Sequence, residues 1–100
     1  MPAFGFLVEM EAQPGREAAV ATFLAEAKVL VDDEPGTLAW FAFRVGPTTF
    51  RIFDAFETED DRQTHLHGKV RERFYAQWEQ LFTVPPIVNA VDILETKLPN

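Results

Sequence analysis

The spacing of apolar positions divides the chain into strands and helices. Over residues 3–11 apolar side chains alternate: Phe4, Phe6, Val8 and Met10 share one parity, with Gly5, Leu7, Glu9 and Glu11 on the other. That pattern predicts a strand with one strongly apolar face. Pro14-Gly15 ends it, and a proline suits the first turn of a following helix. From Arg16 the period changes. Val20, Phe23, Leu24, Ala27 and Val31 fall on one helix face. The acids Asp32 to Glu34 oppose the helix dipole and Glu34 precedes Pro35, so the helix is expected to end near Val31. Pro35-Gly36 turns the chain into a strand over Thr37 to Val45. Gly46-Pro47 leads tightly into a third strand, Thr49 to Glu57, and the two read as a hairpin. Thr58 is a good N-cap, with Asp61 in a capping-box-like position, for a short helix that stops at Gly68. The stripe Val70, Phe74, Trp78, Leu81, Phe82 predicts a longer helix, which Pro85-Pro86 breaks. Ile87 to Leu94 alternates again as the last strand.

The order β-α-β-β-α-β, with right-handed crossovers, is that of an α+β ferredoxin-like sandwich in one domain over residues 1–100. In that fold the helices cover one face of a four-stranded sheet. The strands here are apolar on both faces, so the second face needs a partner, and the simplest is a second copy of the chain. Composition strengthens the argument. Phenylalanine outnumbers leucine, ten to eight, and seven of the ten (Phe4, Phe6, Phe41, Phe43, Phe50, Phe53, Phe56) fall in the first three strands on both parities. A homodimer interface on one face and an aromatic wall on the other would use them.

Charge narrows the partners. The net charge is −7 with no basic patch, which argues against nucleic acid. Two acidic clusters, Asp32 to Glu34 and Glu57 with Glu59 to Asp61, carry the excess and read as solvated helix ends. The absence of cysteine excludes disulfides and thiolate chemistry and fits a reducing, cytoplasmic setting. No stretch approaches the ~20 apolar residues of a membrane span, and the Met-Pro-Ala-Phe start carries no basic signal-peptide region.

Few residues offer chemistry. His65 lies four residues after Asp61, so the two share a helix face, and Asp61 with the helix C-terminus would favour the imidazolium. His67 points about 200° away from His65, so the two cannot jointly hold a metal. Trp40 and Arg44 share a strand face; a planar substrate could stack on the indole while the guanidinium steadies an oxyanion. Arg44 could equally pair with Asp54 or Asp92. Asp54 interrupts an apolar strand face and is either half-buried and paired, the favoured reading, or functional. Tyr75, the only tyrosine, sits one residue off the stripe of the long helix, either facing a cleft or flanking the helix in water. There is no phosphate-binding glycine loop, no His-Glu-x-x-His and no nucleophile elbow.

Pro14-Gly15-Arg16-Glu17, Glu34-Pro35-Gly36-Thr37-Leu38, Thr58-Glu59-Asp60-Asp61, Thr64-His65-Leu66, Pro85-Pro86 and the closing Val-Asp-Ile-Leu, in this order and spacing, resemble the antibiotic biosynthesis monooxygenase family. The resemblance implies a dimeric α+β barrel, with two sheets packed face to face and His65 over a pocket between helix and sheet. It further implies an oxygenase without metal, flavin or other cofactor, acting on a small hydrophobic aromatic or quinol-like substrate. In that reading His65 is the base or an oxyanion partner, Arg44 stabilises charge, and Trp40 with Phe56 and Tyr75 holds the ring. The heme-degrading branch uses an Asn on the first strand, and this first strand has none. A second His about five residues after the first, frequent in the small-molecule branch, is Val70 here. A non-catalytic ligand-binding or dimerisation module, or an isomerase, on the same fold is the alternative.

Overall fold

Strict alternation builds the sheet in the computed structural model, which describes residues 2–99. Met1, at the head of the Met-Pro-Ala-Phe start, and Asn100 lie outside the described residues. The elements are β1 (Phe4–Glu11), α1 (Glu17–Val31), β2 (Thr37–Arg44), β3 (Thr49–Phe56), α2 (Glu59–Leu66), α3 (Lys69–Leu81) and β4 (Ile87–Asp92). The four strands pair antiparallel in the order β2-β3-β1-β4. This is the ferredoxin-like α+β arrangement that the periodicity predicts. Several boundaries differ: β2 ends at Arg44 rather than Val45 and β3 at Phe56 rather than Glu57. Pro14 lies in the turn before α1 rather than in its first turn, with Gly15 at φ 85°, a left-handed value that glycine adopts without strain. The last strand ends at Asp92 instead of Leu94, after Ile93 donates its N–H to Ala3.

Register decides which side chains meet. Phe6 pairs with Asp54, Val8 with Ile52 and Met10 with Phe50, all facing the helices. Against them α1 buries the five positions of its stripe, and α3 adds Val70 and Leu81. Rings interlock edge to face here, Phe23 against Phe74 at 4.9 Å and Phe23 against Phe82 at 6.1 Å. The opposite face follows from the same register. Leu7, Phe41 and Phe53 point away from the helices, beside Ala39, Ala55 and Ile87. On that open face Phe41 is 55% exposed, Phe43 41% and Ile87 53%.

Three local devices set the element ends. Thr58 accepts the Asp61 N–H at 3.1 Å and caps α2. Glu11 accepts hydrogen bonds from the hydroxyls of Thr48 and Thr49, the latter at 2.7 Å, which fastens the β2–β3 turn to β1. The end of α3 is closed from far away in sequence. The Gln13 side chain donates to the Glu79 and Phe82 carbonyls at 2.7 and 3.1 Å, and Arg16 Nε donates to Gln80 at 3.1 Å. Among the described residues no helix is long and apolar enough to cross a membrane.

Candidate functional site

Asp54 is the polar residue that β3 turns toward the helices, and it is 1% exposed. Burying a carboxylate is costly unless it is paired, and its partner comes from the last turn of α2. His65 Nε2 lies 3.1 Å from Asp54 Oδ2, while His65 Nδ1 lies 2.5 Å from Glu34 Oε1. Glu34 is half-buried and is itself steadied by the Thr37 hydroxyl, which donates at 2.8 Å. Ionised carboxylates only accept, so the ring donates from both nitrogens as an imidazolium. Burial lowers the His65 pKa, but the hydrogen bonds and charges of Asp54 and Glu34 outweigh it and hold the pKa above the ordinary value. The trio carries one net negative charge, and Asp54 Oδ1 is buried with no partner among the described residues.

The trio divides two hollows. A cavity of about 320 Å³ lies between the sheet and the α2–α3 layer, with Asp54 and His65 at its polar end and Phe6, Val8, Val70, Phe74 and Val88 along its walls. A second hollow of about 330 Å³ has Glu34, Asp33, Asp61, Thr64 and Lys69 around it. Among the described residues, His65 alone lines both.

The structure places the other sequence candidates as follows. The expected Asp61–His65 pair is replaced by the Glu34 and Asp54 contacts. Asp61 packs instead on the turn before β2, so closely that a Cβ on Gly36 would come within 2.7 Å of its Oδ1. Glu34 is therefore not a solvated helix end, which corrects the reading of the first acidic cluster. Arg44 pairs with neither Asp54 nor Asp92; its guanidinium lies over the Phe50 ring at 4.8 Å. Register puts it opposite Phe50, four residues along β3 from Asp54 and thus about 13 Å away. Trp40 lies opposite Asp54 but packs into the core rather than lining the cavity. Phe56 is fully buried, with its ring 5.1 Å from that of His65, and supports the imidazole from behind. Tyr75 lines the cavity at its open end, 64% exposed. His67 lines it too, and its Nδ1 accepts from Arg71 at 2.9 Å. Sequence reasoning misses Glu34 as a site residue, because a partner 31 positions away leaves no trace in periodicity. It also gives Arg71 no role.

The family profile of antibiotic biosynthesis monooxygenases matches residues 3–79. No curated protein matches the chain. Among solved structures, NE2512, a protein of unknown function from Nitrosomonas europaea, is similar at 45% identity and TM-score 0.96, covering 100% of this chain and 97% of that one. Rv0793 from Mycobacterium tuberculosis shares the fold at 15% identity and TM-score 0.81, covering 93% and 96%. PA3566 from Pseudomonas aeruginosa does so at 16% identity and TM-score 0.79, covering 95% and 97%. With more than three quarters of its length inside the family profile and the fold shared throughout, this chain belongs to the antibiotic biosynthesis monooxygenase family.

Proposed function

We propose that the chain forms a homodimeric, cofactor-independent monooxygenase acting on a small aromatic, quinol-like substrate. One observation carries this reading: a buried carboxylate, backed by an imidazolium and with one oxygen left unpartnered among the described residues, stands at the polar end of an apolar cavity. Both nitrogens of His65 are occupied, so the proton acceptor is Asp54 Oδ1, and His65 spreads and holds the charge. Asp54 removes a proton from an acidic C–H or hydroxyl of the bound substrate. The substrate anion gives one electron to dioxygen, the two radicals combine to a peroxide anion, and Asp54 returns the proton it took to give the hydroperoxide. Loss of water then leaves a carbonyl: a CH₂ and O₂ become C=O and H₂O, with the substrate supplying all the electrons. Asp54 then takes the remaining C–H proton as the O–O bond breaks and passes it to the departing hydroxide, so both substrate hydrogens end in the water.

The test is oxygen uptake by metal- and flavin-free protein over a panel of naphthols, anthrones and quinols. Turnover is expected, and Asp54→Asn should lower kcat by about 10²–10⁴-fold. No uptake across the panel, or an unchanged rate in Asp54→Asn, overturns the reading. An isomerase would use Asp54 in the same way and consume no oxygen. The second copy belongs on the open sheet face, which the exposed Phe41, Phe43 and Ile87 support.

A further inference from the structure

Among the described residues, four of the other eight lysines and arginines are paired with acids, and Arg71 is not. Lys28, Arg51, Arg62 and Arg73 each meet a carboxylate, from Asp32, Glu9, Glu59 and Glu26 respectively. Arg71 meets none among the described residues, in a chain that carries sixteen acidic side chains. Two neutral groups, each one helical turn away, hold it instead. Nη1 donates to His67 Nδ1 at 2.9 Å and Nη2 to the Tyr75 hydroxyl at 3.4 Å, with the guanidinium 5.0 Å above the Tyr75 ring. A guanidinium has five N–H donors, so three remain free. Arg71, His67 and Tyr75 are all exposed and all line the cavity, so they mark its open end. The closed end is the Asp54 carboxylate, one oxygen of which has no partner among the described residues, and the walls between are hydrocarbon and aromatic. The cavity is thus an apolar slot with a hydrogen-bond acceptor at its closed end and a braced, uncompensated cation at its mouth.

We propose that the slot takes a hydroxyaromatic acid: a flat apolar ring system whose hydroxyl donates to Asp54 Oδ1 and whose carboxylate, at the opposite end, is held by Arg71. This rests on the reading of the cavity as the substrate site and adds the anionic group as the feature that selects among aromatic ligands. Arg71 is the specificity-determining residue, because a planar guanidinium fixed by His67 and Tyr75 offers a carboxylate two parallel N–H bonds. An apolar wall on one side strengthens that contact by keeping water away from it.

Three naphthalenes test the two ends separately by calorimetric titration: 6-hydroxy-2-naphthoate carries both groups, 2-naphthol only the hydroxyl and 2-naphthoate only the carboxylate. The two-ended ligand is expected to bind the native protein about tenfold tighter than 2-naphthol. Arg71→Leu should bring it down to the 2-naphthol level, and Arg71→Lys, which keeps the charge but loses the fork, should retain part of the advantage. Added salt should shrink the advantage as well. Equal binding of 6-hydroxy-2-naphthoate and 2-naphthol, or an advantage that survives Arg71→Leu, overturns the Arg71 subsite and leaves the cavity reading standing. Failure of all three ligands to bind overturns the cavity reading along with it.

Discussion

At the scale of single residues, the site depends on how one imidazole is shared. Asp54 and Glu34 lie on opposite sides of His65, and neither has a second basic partner among the described residues. Removing the ring would leave two carboxylates facing each other across a poorly hydrated gap. His65→Gln is therefore expected to cost about 3 kcal/mol near pH 6. The pH dependence follows from the direction of the His65 shift. Its folded-state pKa is raised, so the stabilisation is fully present below the unfolded value of about 6.5 and is lost as pH rises through the folded value. Thermal midpoints of the native chain and His65→Gln should thus lie furthest apart near pH 6 and converge above neutrality. A gap that widened with pH would contradict the imidazolium assignment. The residue scale is also where sequence legibility is poorest. His65 is visible as a lone histidine near a helix end, and Asp54 as a carboxylate on an apolar strand face. That the two touch is a tertiary fact. Spacing within α2 offers Asp61 as the partner because it compares residues of one element only. The ring instead leaves the helix toward the sheet, where β3 and the turn before β2 supply its true partners.

Elements were far more legible, because each is specified by a period that the chain repeats several times. The stripe of α1 is buried residue for residue as its spacing predicts. The Thr58 cap forms, while the reciprocal half of the capping box is absent: Asp61 is drawn to Gly36 instead. Boundaries failed where a distant group intervened. Pro14 looks ready to open α1, yet Gln13 before it is committed to the end of α3, and the chain needs the Pro14-Gly15 turn to reach the helix. The hairpin of β2 and β3 carries a register shift between Thr37 and Ala39 that no alternation announces. That bulge adds a residue beside the Glu34 turn, so the carboxylate that reaches His65 sits where the strand geometry is irregular.

For the whole molecule, the issue is what lies on the uncovered sheet face. Apolar strand faces are normally hidden, and Phe41 and Phe43 on one edge strand and Ile87 on the other all stand exposed on this one. Sedimentation at micromolar concentration should give a dimer, and Phe41→Glu combined with Phe43→Glu should give a folded monomer. A native chain that sediments as a monomer would remove the second copy from the proposed function. A different consequence follows from the Gln13 side chain that closes the end of α3. Its bond to Glu79 joins residues 66 positions apart, tying the β1–α1 connection to the last turn of α3. Closing so long a loop is entropically costly until the elements between are already in place. A contact made that late is absent from the folding barrier, so Gln13→Ala should raise the unfolding rate and leave the refolding rate nearly unchanged, as a chevron plot would read directly. The side chain then governs how long each folded molecule survives, and has little influence on how quickly the next one is made.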